Sequence, residues 1–264
     1  MPNLIGRTLL KNTRMTIPLR SGARLAVDTS QLDIYCRINL DKGVWDGHVL
    51  DVCLRLLRPG DVFYDIGANA GVFSVECARK FGDTLDVQAF EPQPTLAARI
   101  RDSAVINGLS RVAVHEVLLS DQVGEGTLYV TRQAVHASLV ARESRSTAIR
   151  REMTTLDGFI GDRGLAPPSL IKIDVEGAEL QVFRGAAATI ANSKPTIVFE
   201  ADQNMERFGY NHAALVDSLR ELADYEFLRI ADTGALHRVT ATEAMSEGNY
   251  VALPSARRHL IERE

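Results

Sequence analysis

The chain has 264 residues, 45% of them hydrophobic and 24% charged, and its mean hydropathy is close to zero at -0.05. That balance suits one large α/β domain with a substantial core. A formal net charge of -4 and a pI near 5.9 argue against nucleic acid as the default partner, and no apolar run approaches the roughly 18 residues that a membrane-spanning helix needs.

Taken in order, Met1 to Leu10 lacks a continuous apolar core and a cleavage site, so no signal peptide is read there and a cytoplasmic location is expected. Leu4, Ile5, Leu9 and Leu10 are interleaved with Arg7, Lys11 and Arg14 in the pattern of a basic amphipathic helix. Its apolar face is expected to pack on the domain body rather than on a membrane surface. Residues 15–27 read as a β-hairpin turning at Ser21-Gly22. Trp45, Val49, Val52, Leu56 and Leu57 then recur with helical period, and Trp45 is assigned to the core rather than to a ligand pocket. Cys36, Cys53 and Cys77 are odd in number and without CxxC spacing, which suits buried, reduced thiols.

Arg58-Pro59-Gly60 ends that helix and launches the stretch around which the chain is organised, Asp61 to Ser74. Val62, Phe63, Tyr64 and Ile66 make a short apolar strand, and Gly67, Asn69 and Gly71 crowd turn-tolerant residues into one bend. A helix follows from Val72 to Lys80, with Gly82 placed to stop it. Asp86 to Glu91 is a second strand, Thr95 to Ile106 a helix capped by Asn107-Gly108, and Arg111 to Leu119 a third strand ending at Ser120-Asp121. Strand, helix, strand, helix, strand is half of a doubly wound sheet.

The pattern then breaks. Gly124 to Thr131 reads as an extra strand, and Arg132 to Arg151 is arginine-rich without clear period. Such an excursion is either a substrate wall or a solvated loop. Arg142, Arg145, Arg150 and Arg151 hint at an anionic acceptor if it is the former. Ser169 to Asp174 is a near-continuous apolar strand, with Asp174, Glu176 and Glu179 at its end and a helix through Val182 and Phe183. Pro195 to Glu200 is a further strand, Ala213 to Ala223 an amphipathic helix, and Phe227–Ile230 and Asn249–Leu253 the last strands, expected to pair around Asp232-Thr-Gly234. The expected organisation is an extension over residues 1–60 packed on the core, a main domain over 61–255 and a tail over 256–264.

Ligands of an open α/β sheet sit beyond the carboxyl ends of its strands, and those ends here present Asp65, Glu91, Ser120-Asp121, Asp174 and Glu200. A dinucleotide turn wants glycine where this chain has Asn69, whose side chain would crowd a pyrophosphate, and no G-K-[ST] follows for a phosphate loop. That disfavours an NAD-dependent oxidoreductase. Glu91, about 20 residues after Gly71, is placed to accept both hydroxyls of a ribose. Asp65 suits an ammonium, and the turn and helix N–H groups suit a carboxylate. A nucleoside bearing an amino acid is S-adenosylmethionine.

Asp65-Ile-Gly-Ala-Asn-Ala-Gly-Val-Phe73, Phe90-Glu-Pro-Gln-Pro94, Leu119-Ser-Asp121, Thr155-Leu-Asp157, Ile171-Lys-Ile-Asp-Val-Glu-Gly-Ala-Glu179 and Pro195-Thr-Ile-Val-Phe-Glu200, in this order, resemble the FkbM family of S-adenosylmethionine-dependent methyltransferases. The resemblance implies a class I methyltransferase fold: a Rossmann-like, seven-stranded, mostly parallel sheet with helices on both faces and its last strand antiparallel. It implies that Asp65, Gly67, Ala68, Asn69, Gly71 and Phe73 belong to the methionine end of the cofactor site. Glu91 would hold the ribose, Pro92, Leu119 and Ser120 would border the adenine, and Asp174 would lie near the sulfonium. Ser103 stands where the family often has asparagine. The reaction implied is O-methylation of a small molecule, sugar or carrier-linked intermediate, with a homodimer among the open oligomeric states. Asp174, Glu176 and Glu200 are the candidate catalytic carboxylates, while Glu176 and Glu179 also suit a helix start. His136 is read as a loop residue, and no metal is expected. A fold that keeps the cofactor but has lost activity is the non-enzymatic alternative.

Overall fold

The computed structural model describes residues 14–28, 46–130, 137–138, 147–239 and 246–261. The expected N-terminal helix and Cys36, Trp45, His136, Arg142 and Arg145 lie outside the described residues. No helix among the described residues is long and apolar enough to cross a membrane.

The chain opens with an antiparallel hairpin, β1 (Arg14–Pro18) and β2 (Arg24–Asp28), as the alternation over 15–27 predicts. Helix α1 (Gly47–Leu56) follows. The nucleus is β3 (Val62–Ile66), α2 (Val72–Phe81), β4 (Asp86–Phe90), α3 (Pro94–Ile106) and β5 (Val112–His115). Four short strands come next, β6 (Leu118–Leu119), β7 (Gly124–Val130), β8 (Ala137–Ser138) and β9 (Thr147–Thr154). The second half is α4 (Leu156–Arg163), β10 (Leu170–Ile173), α5 (Glu179–Gly185), α6 (Ala187–Ser193), β11 (Thr196–Ala201), α7 (His212–Leu222), β12 (Tyr225–Ile230), β13 (Leu236–Arg238) and β14 (Gly248–Pro254).

The main sheet runs β13-β12-β14-β11-β10-β3-β4-β5, parallel from β11 to β5, with β14 antiparallel to both its neighbours. It holds the expected mostly parallel class I arrangement and adds β13 at one edge, so it has eight strands. From β3 the chain builds outward through β4 to β5 and then returns to lay β10 on the other side of β3. This reversal opens a crevice at the carboxyl ends of β3 and β10.

Period-2 alternation explains both faces of the sheet. Phe63, Leu170, Val198 and Val251 face α1 and α2, in one apolar cluster with Val49, Val52, Val72 and Val75. Tyr64, Ile171, Ile197 and Phe199 face the other way, against Leu156, Phe183, Ile190 and Leu219. Each such fully buried side chain contributes roughly 1.5–3 kcal/mol. The hairpin is tied to α3 by polar groups. The Ser103 hydroxyl accepts the Ala26 N–H at 2.8 Å, and Asn107 accepts the Arg24 N–H and donates back to the Arg24 carbonyl. Ser103 therefore has a structural use in this chain.

Three strand expectations change. The third strand ends at His115, because β4 turns off at Pro92 and leaves nothing for later residues to pair with. Leu118 and Leu119 instead join β9 in a second sheet of order β6-β9-β7-β8. The arginine-rich excursion contains β9, whose inward position 151 is an arginine donating from Nε to the Pro92 carbonyl at 2.7 Å. That arginine hides the alternation. The turn at Asp232–Gly234 leads into β13, and β12 pairs with β14 as a neighbour across the sheet rather than through that turn. Cys53 and Cys77 are buried and free, and burial pushes the Cys53 thiol up to about 12.

Two glycines on helices make opposite predictions. A Cβ at Gly185 would sit 1.9 Å from the Ser120 carbonyl oxygen, where α5 meets the segment after β6, whereas Gly161 on α4 has nothing within 4 Å. Gly185→Ala is expected to lose about 2–4 kcal/mol through backbone displacement, and Gly161→Ala to gain about 0.5–1 kcal/mol. Urea unfolding of the two variants measures both signs.

Candidate functional site

The face of the sheet covered by α1 and α2 is apolar until its carboxyl edge. There Lys172 of β10 lies directly opposite Asp65 of β3, and one row further on come Gly67, Asp174 and Glu200. Beyond this edge is a cavity of about 240 Å³. Gly67, Ala68, Asn69 and Phe73 line it from the turn and α2, and Glu91 and Pro92 from the end of β4. Leu119 contributes from the second sheet, and Asp174, Glu176 and Glu200 from the ends of β10 and β11.

The turn is built by close approach. Gly67 has φ of 76°, and a Cβ on it would fall 1.9 Å from the Asp174 carbonyl oxygen, so the turn rests directly on the end of β10. Asn69 also has positive φ, 52°, a conformation in which asparagine is enriched. The Gly67 and Ala68 N–H groups both donate to the Phe90 carbonyl at 3.0 Å, and the Asn69 N–H donates to Glu91 Oε2 at 2.8 Å. Three successive turn N–H groups are thus used inside the protein. These three are not free for a pyrophosphate.

Glu91 is buried, and each of its oxygens takes one backbone N–H, from Asn69 and from Gln93. Burial pushes its carboxyl up to about 7, with those N–H groups working the other way. An ionised carboxylate has about four acceptor sites, so Glu91 keeps acceptor capacity toward the cavity it lines. Glu200 is pushed further, to about 9, first by burial and then by the charges of Asp174, Asp202, Glu176 and Glu179. Glu179 lies outside the cavity wall: its Oε1 accepts the N–H groups of Val175 and Gly177, and burial raises it to about 8. It therefore braces the loop between β10 and α5. Glu176 lies in the wall with φ of 58°, followed by Gly177 at 100° packed on Asn204.

Three expected cofactor residues stand outside the wall. Asp65 Oδ2 accepts the Ser74 N–H at 3.1 Å and the Ser74 hydroxyl at 2.6 Å, so it caps the first turn of α2. Its other oxygen lies 3.9 Å from Lys172 Nζ. Burial raises the Asp65 carboxyl, against the pull of Lys172 and Ser74. Gly71 faces α3, where a Cβ would meet Ile100 at 2.8 Å. Ser120 is buried with its hydroxyl directed to Asp121 and its carbonyl against Gly185. Conversely, Lys172, Asp46, Gln93, Leu118 and Leu128 line the cavity without having been singled out. Lys172 was signalled by its charge inside an apolar strand. Leu128 could not be, since its strand belongs to a sheet with no local signature.

The wall suits S-adenosylmethionine. Val117, Leu118, Leu119 and Leu128 offer apolar surface for a flat base, buried Glu91 an acceptor for ribose hydroxyls, and the Asp174 carboxylate a partner for a cationic centre, joined by Glu200 once a cation draws off its proton.

The family model for the methyltransferase FkbM domain matches residues 65–227. The chain is 31% identical over 161 residues to the 31-O-demethyl-FK506 methyltransferase FkbM of Streptomyces tacrolimicus, covering 49% of this chain and 60% of that protein. It is 27% identical over 183 residues to the 2-O-methyltransferase NoeI of Sinorhizobium fredii, covering 62% and 73%. A solved methyltransferase FkbM from Methylobacillus flagellatus aligns with a TM-score of 0.47 at 20% identity, over 74% of this chain and 45% of that one.

Three of the raised carboxyls, Glu91, Glu179 and Glu200, set a pH dependence. In each the folded value, about 7, 8 and 9 for Glu91, Glu179 and Glu200, lies above the ordinary 4.5. The folded chain therefore holds protons that the unfolded chain has released. This stabilisation is full below about 4.5 and is lost as pH rises through those values. The ligand-free melting temperature should fall between pH 6 and pH 9, and Glu200→Gln should flatten that fall. A melting temperature independent of pH in both proteins would contradict the assignment.

Proposed function

Because the chain belongs to the methyltransferase FkbM domain family, we propose that it transfers a methyl group from S-adenosylmethionine to a hydroxyl oxygen of a small molecule, sugar or carrier-linked intermediate. The observation that carries this reading is the single cavity whose wall joins buried Glu91 to the acids Asp174, Glu176 and Glu200 across the switch point of the sheet. The names of two relatives, a 31-O-demethyl-FK506 methyltransferase and a 2-O-methyltransferase, support oxygen as the acceptor atom. In this reading residues 61–255 are the catalytic domain, 1–60 an extension packed on it and 256–264 a tail.

When bound, S-adenosylmethionine supplies an electrophilic methyl group. Glu91 accepts the ribose hydroxyls through its remaining lone pairs, and Pro92 and Leu119 flank the base. Ala68, Asn69 and Phe73 border the methionine end. Asp174 and Glu200 place negative charge at the reacting end of the cavity. Methyl transfer is an in-line displacement, so orientation supplies much of the rate. Glu200 is the acid best suited to take the acceptor proton, since a carboxyl held near 9 has a more basic conjugate base than an ordinary carboxylate. Glu176, held in a strained backbone conformation at the cavity wall, orients the acceptor.

Calorimetry with S-adenosylhomocysteine is expected to give a one-to-one isotherm, weakened by about 10- to 100-fold in Glu91→Ala. Turnover, followed with isotopically labelled donor and cell extract as the acceptor source, should rise with pH on a limb with its midpoint at or below about 9, because a cation in the cavity favours ionised Glu200. Glu200→Gln should lower it by about 10²- to 10⁴-fold. A folded wild-type protein that does not bind S-adenosylhomocysteine would sink the proposal.

A further inference from the structure

Lys172 is the charged side chain least expected where it stands. It occupies the middle of the central strand β10, it is 6% exposed, and its neighbours Leu170, Ile171 and Ile173 are fully buried. Packing alone would be served by an aliphatic residue, since a buried charge costs several kcal/mol unless it is paired and hydrogen-bonded. Its ammonium has such partners, and they belong to different parts of the site. Nζ donates to Asp174 Oδ2 at 3.1 Å and to the Gly67 carbonyl at 3.4 Å, lies 3.9 Å from Asp65 Oδ1, and sits over the Phe73 ring at 5.1 Å from its centroid. It therefore touches the end of β10, the turn after β3 and the first turn of α2 together.

We propose that Lys172 is a positioning residue of the methyl-transfer site, a buried cation shared between Asp174 and Asp65 that locks the Gly67 turn to Asp174 and fixes the Asp174 carboxylate where it meets the bound ligand. The proposal rests on the methyltransferase reading above. Burial opposes the charge on Lys172, and the adjacent Asp174 and Asp65 overcome it, holding the ammonium above its usual range. The geometry also explains why Asp65, at the start of the motif, is absent from the cavity wall: its oxygens are directed to Ser74 and toward Lys172. The ligand's own cation is left to Asp174 and Glu200.

The test separates positioning from a plain ion pair. Lys172→Met should lower the melting temperature, because it strands buried Asp65. The double variant Lys172→Met/Asp65→Asn removes both charges of the cross-strand pair and should recover most of that loss. In the recovered variant, binding of S-adenosylhomocysteine should still be weakened about tenfold, and the acid limb of the binding profile should move up by about one pH unit as Asp174 loses its ammonium partner. The KM for the acceptor should change much less than kcat. Wild-type affinity and an unmoved binding profile in the stable double variant would overturn the proposal and leave Lys172 as structural support. If the wild-type protein binds S-adenosylhomocysteine but turns over no acceptor, the methyl-transfer reading fails, while the binding profile alone still decides the role of Lys172.

Discussion

The contact between Gly67 and the end of β10 is the constraint on which the site depends. With no side chain at residue 67, the turn after β3 comes down onto the Asp174 carbonyl, so the two strands that flank the switch point finish in contact rather than apart. That closeness brings Lys172 within reach of both the turn and the acid, and sets the turn N–H groups against the Phe90 carbonyl and Glu91. The cavity then opens toward α2, the end of β4 and the second sheet. A methyl group on Gly67 would push these pieces apart at the point where they must meet.

Polar groups on this edge divide into those that build the edge and those left for a ligand. Asp65 caps α2, Glu179 holds the loop after β10, and Arg151 fastens the second sheet to Pro92. Glu91 serves both purposes, because it bridges the Asn69 and Gln93 N–H groups and still borders the cavity. Asp174, Glu176 and Glu200 then form an acidic edge where burial, and after it the neighbouring carboxylates, hold Glu200 well above the ordinary carboxylate range.

Much of the parallel core was legible because its strands are short apolar runs with glycine or proline at their ends, and its helices carry caps such as Gly82 and Asn107. The ordered strand-end acids likewise brought Glu91, Asp174, Glu176 and Glu200 to one cavity. What escaped was decided by distant partners. Nothing local distinguishes Asp65, whose carboxylate turns to Ser74, from a strand-end acid that meets a ligand. Nor does the sequence around Leu118 and Leu119 reveal that they leave one sheet for another, since their partners Met153 and Thr154 come from the far side of the excursion. Arg151 breaks the alternation of β9 because its inward position is filled by a hydrogen-bonding arginine rather than an apolar side chain.

The central claim is that one cavity at the switch point holds the methyl donor between Glu91 and Asp174, with Asp65 kept behind Lys172. A crystal structure of the protein with S-adenosylhomocysteine tests it most directly. Ligand density is expected in that cavity, with the ribose on Glu91, the amino-acid end toward Asp174, and Asp65 still bonded to Ser74. Density in another cleft, or a ligand ammonium paired with Asp65 in place of Lys172, would contradict it.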